Sequence, residues 1–265
     1  MPRIPDELQR SVVYLYPNAE AARDGHGAGG TGFFVRRQRT GASKPAQYLV
    51  TNMHVAQAQN RTLRINTLSG GVDFHEIKGS DWVSHPNGDD IAAIVLAIEP
   101  HWATSALDWS ALAITQARMI ELNMGVGDEA FMLGRFVSHE TVQLNQPLAR
   151  FGNVAMMPGV PVKDGRGIEV EAFLVEMRSL SGFSGSPVFV YMGPGTYRGN
   201  GTMMPFYSET IGLMGIDTGH KATLGKVQKK NDNRNTDLVV PLNTGISIVA
   251  PVWKIQELLD CDAFA

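Results

Sequence analysis

The sequence predicts an all-β protein: two six-stranded antiparallel β-barrels, with a helix at the C-terminus. Three observations carry this. Short apolar, β-branched runs recur along the 265 residues, separated by clusters of Gly, Pro and Asn. Helical periodicity is weak except at 252–259 ("VWKIQELL"). The runs also fall into two sets of about six on either side of a connection near 100–125, instead of alternating with helices.

The expected strands in the first half are 11–16, 32–37, 47–51, 63–66 and 91–98. Those in the second half are 129–133, 148–155, 168–177, 187–190, 210–216, 238–241 and 245–249. Residues 55–59 suit a single helical turn, and 109–122 fit either helix or strand. Residues 1–115 would then form the first barrel, and residues 116–265 the second barrel with the terminal helix. Two stretches read as exposed loops. One is 191–209, rich in Gly and Pro; the other is 220–237, where Lys221, Lys226, Lys229, Lys230 and Arg234 outnumber Asp232 and Asp237.

Composition excludes several classes of function. A formal net charge of −3 gives no broad attraction to nucleic acid or to an anionic membrane. The lone Cys261 allows neither an internal disulfide nor a cysteine-rich metal site. The apolar run at 12–16 is too short for a signal-peptide core, and no stretch is long enough to span a bilayer. The expected location is cytoplasmic. His26, His75, His85, His101, His139 and His220 lack the spacing of zinc ligands and read as surface or hydrogen-bonded residues, so no metal or other cofactor is expected.

Chemistry concentrates at 180–189, "LSGFSGSPVF". A serine nucleophile needs a base, a group that orients the base, and donors for the developing oxyanion. His54, at the end of the apolar run "YLVTNMHV", supplies a candidate base. The pair Asp89–Asp90 opens the run "DDIAAIVL" and places a carboxylate at the mouth of a buried strand. Gly182 and Gly185 permit backbone conformations in which successive amides converge. The pattern is not G-x-S-x-G, which argues against an α/β-hydrolase. In chain order the candidates run His, Asp, Ser, with Asp90 lying 36 residues after His54 and 94 before Ser184.

In that order the blocks "GTGFFV", "YLVTNMHVA", "DDIAAIVL", "GVGDEAFMLGR", "SGFSGSPVF" and "TIGLMGIDTG" resemble those of trypsin-like, chymotrypsin-fold serine proteases. The likeness spans about 11–259 and is nearest to the bacterial HtrA/Deg and glutamyl-endopeptidase branches. It implies a serine endopeptidase acting through an acyl-enzyme, with protein or peptide as substrate. His54 would be the general base, Asp90 the orienting acid and Ser184 the nucleophile. The amides of Gly182 and Ser184 would form the oxyanion hole. Ser179, Ser181, Asp217, Thr218 and Gly219 would contribute to substrate binding, with P1 preference left open. Arg178 would either charge the floor of that pocket or be neutralised by Asp217.

Two departures shape these expectations. Phe183 stands where digestive relatives carry an aspartate that captures a new N-terminus, so activation by that ion pair is not expected. An appended PDZ domain is not expected after the terminal helix. The alternative reading is a catalytically silent module that binds peptides or proteins, or one switched on by an activating partner protein.

Overall fold

A computed structural model gives the fold and describes residues 3–27, 29–39, 41–58, 61–137, 143–198, 203–204, 210–228 and 235–264. Two β-sheets follow one another along the chain. The first contains β1 (Val12–Tyr16), β2 (Gly30–Arg37), β3 (Ala46–Thr51), β4 (Thr62–Asn66), β5 (Val72–Glu76), β6 (Val83–Ser84) and β7 (Ala92–Val95). They pair antiparallel in the order β5-β4-β1-β2-β3-β7-β6, while the short β8 (Leu107–Asp108) joins β2 in parallel.

The expected first barrel is therefore open. Its edge strands β5 and β6 do not pair with each other. β6 commits its two residues to β7, and β5 carries no fully buried side chain that would draw the seam shut.

The second sheet does close. β9 (Glu129–Gly134), β10 (Leu148–Met156), β13 (Phe173–Glu176), β14 (Pro187–Met192), β15 (Thr210–Gln228) and β16 (Asn235–Pro251) form a six-stranded barrel in the order β10-β13-β16-β15-β14-β9. The expected strand 168–177 is divided. Its start, β12 (Glu169–Val170), pairs with β11 (Val162–Lys163) in a separate two-stranded sheet.

Buried side chains explain which runs became strands. All five residues of β1 and all six of β14 are buried, as expected of apolar runs covered on both faces. Helices fill the connections. α1 (Asp6–Arg10) and α2 (Ala19–Asp24) precede β2; Asn18 caps α2 by accepting from the Ala21 amide, and Gly25 ends it at φ +72°. α3 (Met53–Gln57) follows β3 directly. The ambiguous 109–122 segment resolves into α4 (Trp109–Leu112) and α5 (Gln116–Glu121), capped by the side chains of Asp108 and Thr115. α6 (Val252–Leu259) has the bounds expected from its pattern, and it buries Val252, Trp253, Ile255, Leu258 and Leu259. No helix among the described residues is long and apolar enough to cross a membrane.

Neither expected loop is simply a solvated loop. The basic stretch 220–237 lies largely in one long hairpin, where β15 pairs with β16 beyond the barrel through Leu224–Pro241, Gly225–Val240 and Lys226–Val239. The β-branched Val239 and Val240 favour continued pairing over a coil. Lys229, Lys230, Asp232 and Arg234 lie outside the described residues. In the other stretch Tyr191 and Met192 complete β14, and Arg198 is buried in a bidentate pair with Asp128 at 2.6 Å per bond. Residues 199–202 and 205–209 lie outside the description.

Candidate active site

β3 delivers His54. The strand ends at Thr51, and α3 begins immediately, so the imidazole stands at the sheet's edge with 46 % of its side chain exposed. β7 starts two residues after Asp90, whose carboxylate is only 9 % exposed. The two residues meet twice. Asp90 Oδ2 lies 2.6 Å from His54 Nδ1, and Asp90 Oδ1 accepts from the His54 main-chain N–H at 2.9 Å. Asn52 fixes the aspartate from behind by donating its Nδ2 to the Asp90 carbonyl at 2.9 Å.

Burial raises the pKa of Asp90, but the His54 hydrogen bond and charge outweigh it and hold the carboxyl below its usual range. An ionised Asp90 accepts a proton-bearing Nδ1 and leaves Nε2 as the acceptor, the tautomer a general base needs. Asp89 is turned elsewhere. Its Oδ2 lies 3.2 Å from His85 Nδ1 and 3.5 Å from Lys254 Nζ.

The turn that carries Ser184 lies between Met177 and β14. Leu180–Phe183 closes through Phe183 N–H to the Leu180 carbonyl at 3.0 Å, with Gly182 at φ +94°. A positive φ at the third position is the signature of a type II turn. The next turn closes through Ser186 N–H to the Phe183 carbonyl at 2.8 Å, with Gly185 at φ +86°. Among the described residues, the amides of Gly182 and Ser184 donate to no group of the protein.

Burial separates the three serines of the turn. Ser181 is exposed, Ser184 is half-buried, and Ser186 is fully buried with its hydroxyl against Gly134, where a Cβ would come within 2.0 Å. Phe183 is also fully buried and packs near Phe136 at 6.5 Å, so it anchors the turn in the barrel.

β2 brings the two halves together. A Cβ at Gly30 would lie 2.6 Å from Val55, the residue after His54, and 3.1 Å from the Ser184 carbonyl. No Ser184 Oγ–His54 hydrogen bond is present among the described residues. Such bonds commonly tighten only with substrate.

The expected substrate residues divide by exposure. Ser181 is exposed, and Thr218 and Gly219 are half-buried on β15. Ser179 and Asp217 are shut from solvent and bonded to each other, Ser179 Oγ donating to Asp217 Oδ2 at 2.7 Å. Burial pushes the Asp217 carboxyl up to about 8, against hydrogen bonds from Ser179, the Gly219 amide and Ser247. Its main chain pairs with the Ser184 turn, accepting from Gly185 N–H at 3.0 Å and donating to the Ser186 carbonyl at 2.9 Å. Arg178 is exposed and forms no ion pair with Asp217.

Sequence spacing missed one cluster. His85, Asp89 and Glu257 come together from two distant segments. Lys254 Nζ already sits among them, 3.5 Å from Asp89 and 3.4 Å from Glu257. His101 bonds to Asp73 at 3.0 Å, while His139 lies outside the described residues. A cavity of about 700 Å³ beside α1 and β8, lined by Leu8, Arg36, Trp102 and Leu107, touches none of the candidate site residues.

The buttress of the Ser184 turn was also missed: Thr31, Thr51 and Arg135. "GTGFFV" hinted at it only as a threonine between two glycines, which states a close approach but not its target.

No protein-family model and no curated protein matches the sequence. Among solved structures, the chain is similar to Deg5, with 19 % identity, 81 % of each chain covered and a TM-score of 0.45. It is also similar to an inactive form of a serine-to-alanine mutant of Rv3671c from M. tuberculosis, with 13 % identity, coverage of 95 % of this chain and 86 % of that one, and a TM-score of 0.48.

Proposed function

We propose that this protein is a serine endopeptidase of the chymotrypsin-like type, working through His54, Asp90 and Ser184. The observation that carries the reading is the double grip of Asp90 on His54, through ring and main chain, beside a turn that presents Ser184 and two unengaged amides. In this mechanism His54 Nε2 takes the Ser184 proton as Oγ attacks a peptide carbonyl. The buried Asp90 carboxylate stabilises the imidazolium so formed. The new oxyanion is met by the Gly182 and Ser184 amides, donors fixed before the reaction begins. His54 then returns the proton to the leaving amine, and water, deprotonated by the same Nε2, releases the acyl group. Ser181, Thr218 and Gly219 lie where the substrate chain would run.

Pre-steady-state turnover of a p-nitrophenyl ester tests this. A burst stoichiometric with protein, followed by slow turnover and absent from Ser184→Ala, is the expected result. A burst that survives in Ser184→Ala contradicts the assignment. Partner-gated activity is the second reading, favoured by the unformed Ser184–His54 hydrogen bond. It predicts no burst from the isolated chain and a burst once the partner is added.

A further inference from the structure

We infer that Thr31, on β2 of the open sheet, is the positioning residue that holds the oxyanion turn of the barrel in its receptive form. The inference rests on the serine-protease reading above and concerns how that site is kept in order.

Three successive carbonyls of the turn each accept one hydrogen bond. Gly182 O accepts from Thr31 Oγ1 at 2.7 Å, Phe183 O from Ser186 N–H at 2.8 Å, and Ser184 O from Thr31 N–H at 2.9 Å. Thr31 therefore supplies two of the three, one on each side of the Phe183–Ser184 peptide. In a trans peptide the N–H points opposite to the C=O. With the Phe183 carbonyl tied back and both neighbouring peptides held, the Ser184 N–H is left facing the other way, toward the position of an incoming oxyanion.

The threonine hydroxyl has no freedom to do otherwise. It accepts from the Arg135 main-chain N–H at 2.9 Å, which directs its own hydrogen onto Gly182 O. The Thr31 carbonyl is fixed in turn by Thr51 Oγ1 at 2.7 Å, and the residue is wholly buried. The approach is close enough that a Cβ on Gly185 would come within 2.1 Å of the Thr31 carbonyl. Thr31 thus links the strand beside α3, which carries His54, to the turn that carries Ser184. The base and the oxyanion donors are held in one frame.

Valine has the shape of threonine without the hydroxyl, so Thr31→Val removes the grip on Gly182 O and keeps the main-chain bond to Ser184. With kcat referred to the burst-titrated site concentration, Thr31→Val is expected to lose at least about tenfold in kcat, the scale set by weakening an oxyanion donor. KM should stay within about twofold, since substrate binds the ground state without the oxyanion contact. Thr31→Ser, which keeps the hydroxyl, should recover most of the loss. A merely structural role would lower the melting temperature and leave kcat per titrated site intact, and that result overturns the inference. So does a Thr31→Ser variant as slow as Thr31→Val. A wild-type protein with no burst removes the reading of the isolated chain as an active protease and this inference with it, a result distinct from normal wild-type turnover that Thr31→Val matches.

Discussion

Asp90 and Asp217 show how differently two buried carboxyls behave. Asp90 meets the His54 imidazole with one carboxylate oxygen and the His54 main-chain amide with the other, and it stays ionised. Asp217 meets only hydroxyls and an amide, and burial wins. The sign of its effect on stability follows from proton linkage. The unfolded carboxyl releases its proton near the usual pKa of about 4, while the folded one keeps it to about 8. Between those values the folded state binds more protons than the unfolded state, so stability falls as pH rises and levels off above the folded pKa. Asp217→Asn removes that slope. Urea midpoints of the wild type are expected to drop relative to Asp217→Asn from about pH 5 to about pH 8, and parallel pH courses for the two proteins would refute the assignment. Sequence reasoning placed Asp217 near the substrate but could not see that Ser179 closes over it, because 38 residues separate the pair.

At the scale of the elements, local signals were legible and distant pairings were not. α6 kept its expected bounds because its apolar positions repeat at helical spacing and all of that face is buried. β3 and β14 were visible as continuous apolar runs. The strands β5, β6, β8 and β11 were not, since their residues are half-buried or exposed or only two residues take part. The long β15–β16 hairpin was hidden by its lysines, which usually mark a solvated loop; the β-branched Val239 opposite Lys226 favours pairing instead. Arg198 was hidden for a similar reason. Its Gly-rich surroundings suggest exposure, yet its guanidinium is paired in the interior with Asp128, which also accepts from the Gly125 amide at 2.8 Å. Removing one partner of a buried pair strands the other charge. Arg198→Met is expected to cost about 3–5 kcal/mol of unfolding free energy, read by chemical denaturation. A loss within about 0.5 kcal/mol, as for an ordinary surface change, would show that the pair does not anchor this segment.

Across the whole molecule, the candidate site belongs to neither sheet alone. His54 comes from α3, just past β3, and Asp90 from the residues just before β7 in the open sheet, and Ser184 comes from the turn before β14 in the closed barrel. Hydrogen bonds from Thr31 to Gly182 and Ser184 cross between them, and Arg135, the residue after β9, reaches back to the Gly27 carbonyl at 2.9 Å. His54 and Ser184 lie 130 residues apart in the chain, too far to share one local motif. The sequence did not anticipate that the first sheet stays open, since strand closure depends on edge pairings that no periodicity records. The central claim is that Ser184 is the activated nucleophile of this composite site. Treatment of the folded protein with a fluorophosphonate, followed by peptide mapping by mass spectrometry, tests it most directly. A single adduct on Ser184, abolished by prior unfolding and by His54→Ala, is the predicted result; an adduct on Ser181 or Ser186, or equal labelling in His54→Ala, would contradict it.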